Sequence, residues 1–397
     1  MKRLYIVGTA DTKGPELRYL SEKIRGFGHV PVIVDVGTKK PTIAVDISAK
    51  IVAEFSADGA ESILETDDRG TAITGMAKAF ARFIASRDDI SGILGIGGGG
   101  GTSIICEGMQ VLPLGLPKIM VSTLASGDVA PYVGVSDIIM MPSVTDLAGL
   151  NRLSRIILHN AASAIVGMSE NPAPKTDDKP ALGLTMFGVT TPAVTAIADL
   201  LADDYDGLIF HATGTGGRAM ENLVGNDLLT GVLDITTTEI ADLLVGGVLA
   251  ASETRLDIII QKALPYVGSV GALDMVNFWA KETVPKGFQN RNLYVHNANV
   301  TLMRTDAAEC RKIGAWIGDK INKMSGPVRF LIPEKGISSL DIEGGAFFDP
   351  ATDAVLFDTI ENTVSWNNSK IIKRLPYHIN DPEFAQAAVA AWREISN

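Results

Sequence analysis

Cysteine is almost missing from this chain: Cys106 and Cys310 are the only two in 397 residues. Two distant thiols make no disulfide framework, and neither has the spacing of a zinc motif. The five histidines, His29, His159, His211, His296 and His378, show no metal-binding repeat either, so no protein-held metal site is expected. Long apolar runs are absent. No stretch of about 18 residues is apolar enough to read as a membrane span. Residues 1–8 start directly on a strand-like segment, without the apolar stretch of a signal peptide. The expectation is a cytoplasmic protein with no membrane partner. Dense Lys/Arg runs are also lacking, and the formal charge is −11. A chain without a concentrated basic face is poorly suited to a nucleic-acid backbone. No Gly-x-Ser-x-Gly elbow announces a hydrolase triad.

What the chain has is apolar residue, at 46%, and glycine, at 40 positions. The first figure gives ample surface for a core. The glycines cluster in loops with no collagen-like period, which suggests tight turns and close backbone approaches. Short apolar runs at 4–7, 30–35, 92–96, 118–122 and 138–140 alternate with helical patterns at 15–26, 47–55, 69–86 and 147–167. Residues 168–180 hold three prolines and several charges and read as a linker. The alternation then restarts, with strands expected at 182–187, 207–211, 233–235, 256–261, 293–296, 329–332 and 371–375. Helices are expected at 305–323, capped by Thr305, and at 382–395. This pattern predicts an α/β chain: two Rossmann-like, doubly wound domains, residues 1–170 and 180–397, with mainly parallel sheets facing across a cleft.

The halves resemble each other weakly. A Gly/Thr loop ends the first strand of each, and Gly98–Thr102 is echoed by residues 213–217. Hydroxyls end the strand after that, as Ser122-Thr123 and Thr236-Thr237. Three matches in the same order point to an ancient duplication, and ligands of open α/β sheets sit at the carboxyl ends of the strands.

The strongest local signal is Gly97-Gly98-Gly99-Gly100-Gly101-Thr102, which follows an apolar strand and opens an apolar helix. Glycines admit close approach, and free N–H groups with the helix dipole favour an anion. The competing reading is a tight turn with no ligand. The sequence is not a P-loop, since no Lys-Ser/Thr follows, and it fits the dinucleotide fingerprint poorly. Four other segments extend the candidate site. In Thr9, Asp11 and Lys13, the lysine can neutralise phosphate, while Asp11 can hold a metal through water, bind ribose, or cap the next helix. Asp35 ends the second strand, where a ribose-binding acid often stands. Ser122 and Thr123 can donate to phosphate or cap a helix. Thr213, Gly214 and Arg218 form a second Gly/Thr loop whose arginine suits carboxylate or phosphate. His211 and Glu221 flank that loop and are the candidate acid/base pair, against a structural histidine and a helix-favouring glutamate.

With these segments, residues 121–128, 131–134, 142–151 and 271–278 resemble an uncharacterised bacterial and plant family. That family includes the ATP-binding N-terminal domain of the tomato mosaic virus resistance protein. The resemblance spans nearly the whole chain. It implies two α/β domains, ATP bound near the first glycine loop, and self-association as a homodimer or larger homo-oligomer; magnesium can accompany a nucleotide, since it needs only one or two carboxylates or hydroxyls. The resemblance supplies no reaction. The alternative is a metabolic enzyme acting on a small phosphorylated or carboxylated metabolite, with ATP as cosubstrate and His211 and Glu221 doing the chemistry.

Overall fold

The computed structural model describes residues 2–172 and 179–396. The chain divides into two compact units, Met1–Lys175 and Thr176–Asn397. Both are Rossmann-like, with helices packed on a parallel sheet.

In the first unit, strands β1 (Arg3–Gly8), β2 (Val32–Asp35), β3 (Ile90–Gly97), β4 (Lys118–Ser122) and β5 (Ile139–Pro142) form one sheet in the order β2-β1-β3-β4-β5. Every pairing is parallel. Side chains of β1 alternate between two cores: Tyr5 and Val7 join one, Leu4 and Ile6 the other. A strand buried on both faces needs this continuous apolar run. After β2 the chain crosses to the far side of β1 to lay down β3. The loops that follow β1 and β3 therefore open at the topological switch point, where ligands of such sheets bind.

The second unit repeats that order and extends it. Its strands are β6 (Ala181–Met186), β7 (Asp206–His211), β8 (Gly231–Thr236), β9 (Tyr266–Gly271), β10 (Met275–Phe278), β11 (Leu293–Asn297), β12 (Val300–Arg304), β13 (Val328–Pro333) and β14 (Lys370–Leu375). The large sheet runs β7-β6-β8-β9-β13-β14, all parallel. Its first five strands follow the order of the first unit. Between β9 and β13 the chain inserts a small antiparallel sheet, β10-β12-β11.

Shared strand order corrects the match between the halves. The loop after β3 corresponds to the loop after β8, residues 237–239. It does not correspond to residues 213–217, which follow the edge strand β7. The match of the loops after β1 and β6 holds, but the other two sequence matches were displaced by one strand because glycine and threonine recur at many strand ends.

Three local expectations change. Residues 256–261 lie mostly in a helix, Asp257–Lys262. Their isoleucines favour a strand locally. The amide of Leu256, however, donates to Glu221 at 2.6 Å, and Ile259 is buried in the core. The cap of helix Ala307–Lys323 is Asp306, not Thr305. Asp306 accepts from the amides of Ala308 and Glu309, and Glu309 reaches back to the Asp306 amide, a reciprocal capping box. Thr305 instead donates its hydroxyl to the Leu273 carbonyl at 2.9 Å. Helix Arg152–Glu170 runs into the expected linker, of which residues 173–178 lie outside the described residues. Among the described residues no helix is long and apolar enough to cross a membrane.

Candidate functional site

Helix Gly99–Gln110 begins at its glycines rather than after them. Gly98 is the N-cap and no side chain caps the helix. The first helical bond is donated by the Thr102 amide to the Gly98 carbonyl at 2.8 Å. The amides of Gly99, Gly100 and Gly101 precede it and have no helical acceptor. These three glycines line a cavity of about 450 Å³ together with the β1 loop, residues 37–39 after β2, and the start of helix Arg69–Ala85. That volume suits a nucleotide-sized ligand. Hollows of about 480 and 540 Å³ elsewhere lie against helix surfaces of the second unit. They hold no glycine loop, so size alone does not select a site.

The environment of each glycine separates structural need from free space. A Cβ on Gly97 would stand 2.9 Å from the backbone of Gly101 and Thr102, and one on Gly100 would stand 2.9 Å from Ile73. The backbone contact requires glycine at Gly97, whereas at Gly100 the end of the Ile73 side chain would have to shift. At Gly98, Gly99 and Gly101 the nearest atoms would be 3.7 Å away, an ordinary contact. Internal packing gives no reason for glycine at these three.

The β1 loop forms a second wall. The Lys13 amide donates to the Thr9 carbonyl at 2.7 Å, and the hydroxyls of Thr9 and Thr12 lie 2.7 Å apart. Asp11 does not cap helix Gly14–Gly26, whose N-cap is Lys13 without a side-chain bond. Asp11 lines the cavity instead, and its Oδ1 is buried without a partner. The Lys13 ammonium donates to the Leu147 carbonyl, which ties it to its own unit. Asp35 is buried behind this wall. Its Oδ1 accepts from the amides of Ala10 and Gly37 at 2.9 and 2.8 Å, and its Oδ2 is unpartnered. Burial raises its pKa against the pull of those two amides, and the charge of Asp11 adds to the rise. Gly37 separates the two acids, since a Cβ there would lie 3.0 Å from both Asp11 Cγ and Asp35 Oδ1.

Thr102 and Ser122 stand behind the glycines rather than in the cavity wall. Both are buried, and their hydroxyls bond to each other at 2.7 Å. Thr123 is half-buried, its amide donating to the Gly97 carbonyl at 3.3 Å. These residues pin the glycine loop to β4.

The second Gly/Thr loop is built differently. Thr213 caps helix Gly214–Gly225, accepting from the Gly216 amide. The Gly214 amide donates to the Leu249 carbonyl, and the Gly217 amide to the Thr213 carbonyl. A Cβ on Gly214 would collide with the Ala250 carbonyl, one on Gly216 with the His211 carbonyl, and one on Gly217 with the Glu239 carboxylate. Close packing explains all three glycines. Arg218 is exposed and, among the described residues, reaches only the Thr215 hydroxyl, at 3.4 Å. His211 sets Nδ1 against the Met186 carbonyl at 3.1 Å and stacks on Phe187. Glu221 turns away into a buried network and shares no hydrogen bond with His211 among the described residues. The pair is not assembled as an acid and a base.

That network centres on Arg255, a fully buried side chain with no motif to announce it. It bonds Asp234 through both carboxylate oxygens at 3.0 and 2.8 Å, Glu239 at 2.7 Å and Glu221 at 3.1 Å. Tyr266 and Thr185 donate to Asp234 as well. Burial pushes the Glu239 carboxyl up to about 7, although Arg255 pulls it down. The loop after β8, the counterpart of the first glycine loop, thus carries an internal carboxylate at the start of a neighbouring helix.

A sequence profile for the N-terminal domain of the Uncharacterised protein family (UPF0261) matches residues 2–174, and one for the C-terminal domain of the same family matches residues 179–396. The chain belongs to the UPF0261 family. A UPF0261 protein of Rhizobium meliloti (strain 1021) is 66% identical over 397 residues, with both chains fully covered. The UPF0261 chain is also similar to the ToMV resistance protein Tm-1(GCR237) of Solanum lycopersicum, at 44% identity over 420 residues. That match covers 99% of this chain and 56% of the tomato protein. Among solved structures, an esterase domain from a Rhodothermus marinus protein matches at 12% identity and a TM-score of 0.28, over 56% of this chain and 90% of that one. The likeness is too slight to bear on UPF0261 chemistry.

Proposed function

We propose that the N-terminal unit binds a nucleotide, ATP, with phosphate oxygens on the amides of Gly99, Gly100 and Gly101. One observation carries the reading: an uncapped helix start opens on a cavity, and three of its glycines have no packing reason to be glycine. Three orphan N–H groups at a helix N-terminus are a ready anion site. The switch-point position and the resemblance noted from the sequence both favour a nucleotide. Asp11, with a free buried oxygen in the wall, is placed to accept from a ribose hydroxyl or from water on a magnesium ion carried in with the phosphates. The His211–Glu221 enzyme reading draws no support from the geometry, because Glu221 is spent on Arg255.

Titration calorimetry of ATP, with and without magnesium, into wild type and Gly99→Ala tests the reading. The added methyl group meets no internal clash, so the variant keeps its fold by circular dichroism. Wild type is expected to bind and the variant to bind far more weakly. Equal binding by both would remove the glycine loop from the site.

A further inference from the structure

Two cations in the same cavity belong to no motif. Lys39 comes from the segment after β2 and Arg69 from the first turn of helix Arg69–Ala85. Neither forms an ion pair among the described residues; exposed arginines such as Arg152 and Arg218 are likewise without one, and what sets Lys39 and Arg69 apart is that both line the glycine-loop cavity. Of the two acids before Arg69, Asp68 is committed as the helix cap, accepting from the Thr71 amide at 2.7 Å and from its hydroxyl, and Asp67 lines the cavity without an ion pair to Arg69 among the described residues. Arg69 also stands at a helix start, where the macrodipole disfavours a positive side chain. A cation held against the dipole, unpaired and beside a cavity, calls for an anion from outside. Lys13, the lysine that the loop sequence offers, is turned to the Leu147 carbonyl instead.

The orphan glycine amides suffice for one phosphate group. Two further unpaired cations call for further negative charge. We infer that Lys39 and Arg69 clamp the outer phosphates of a polyphosphate chain, so that the site takes a nucleoside di- or triphosphate in preference to a nucleoside or a monophosphate. Arg69 grips a phosphate with its planar fork, and Lys39 acts as a point charge. This assignment rests on the nucleotide reading for the adenosine end, but the clamp itself needs only the phosphates.

The test is a calorimetric series of ATP, ADP, AMP and inorganic tripolyphosphate into wild type, Lys39→Ala, Arg69→Gln and the double variant. Both side chains are exposed, so the fold is kept, with circular dichroism as the check. In wild type, affinity is expected to fall from ATP through ADP to AMP. In the double variant, ATP affinity drops by about tenfold or more, the loss expected for a charged hydrogen bond. AMP affinity stays put and the ladder flattens. An unchanged ladder in the double variant overturns the clamp and leaves the nucleotide site standing. Tripolyphosphate bound by wild type and lost in the double variant, with no adenine nucleotide bound, upholds the clamp and sinks the ATP reading. If wild type binds none of the four, both fall.

Discussion

Residues 97–101 and residues 213–217 both concentrate glycine at the start of a helix, yet a methyl group added to each would meet different surroundings. In the second loop it would strike a carbonyl or a carboxylate of the same unit at every one of three glycines. In the first it would find ordinary contacts at Gly98, Gly99 and Gly101. The helix ends differ in the same sense: Thr213 caps one, and nothing caps the other. Glycine in one place closes a fold on itself, and in the other it leaves backbone exposed to a cavity. Composition cannot separate the two cases, whereas the neighbours of each Cβ position can.

The contrast can be broken most forcefully at Arg255. If the region behind the second loop is structural, Arg255→Met leaves two buried carboxylates, Asp234 and Glu239, and the partly buried Glu221 without their cation and costs about 3–5 kcal/mol. Urea unfolding followed by tryptophan fluorescence reads this directly, because all four tryptophans, Trp279, Trp316, Trp366 and Trp392, lie in the second unit. Little change would mean the network is not what holds this loop.

The same probe reads a pH dependence. Burial raises Glu239 to about 7, Asp242 to about 6, Asp274 to about 7 and Asp353 to about 8. Their folded values lie above the ordinary carboxylate value near 4. Their contribution to stability is complete below that value and declines as pH rises toward 8. The urea midpoint at pH 8.5 is therefore expected below that at pH 5.5, with Glu239→Gln reducing the difference. A midpoint that rises with pH would contradict the assignment.

At the glycines themselves, Gly216→Ala is expected to destabilise the second unit by about 1–3 kcal/mol through overpacking. Gly99→Ala should change stability by no more than about 1 kcal/mol, in the favourable direction for a helical position, while removing most ATP affinity. Parallel thermal melts and calorimetry compare them. If Gly99→Ala unfolds the protein, the two loops are alike after all. The smallest effects belong to Arg218→Ala and His211→Ala. Both are expected to leave ATP affinity within about twofold, because neither lines the cavity and both are exposed.

Much of the fold was legible because parallel strands buried on both faces leave continuous apolar runs. The boundaries of β4 read straight from residues 118–122. The insertion was legible only in part: residues 293–296 read as β11, whereas β10 and β12 lack such a run and are held by cross-strand pairing. Residues 256–261 misled because isoleucine propensity is a local signal, while the Leu256–Glu221 bond is not. At the site, the glycine loop was readable from strand-loop-helix order. Lys39 and Arg69 were not, because 58 and 28 residues of chain separate them from residue 97 and only strand crossover brings them near. Thr102 and Ser122 looked like ligand donors because hydroxyl chemistry is the same whether it faces a ligand or a neighbour.

The uncapped start of helix Gly99–Gln110 has a consequence for how long the protein lasts. Under the nucleotide reading, an anion that binds these backbone donors in the folded state alone holds back unfolding by mass action. Resistance to proteolysis, and with it abundance in a cell, would then follow the supply of that anion even if the protein transforms nothing.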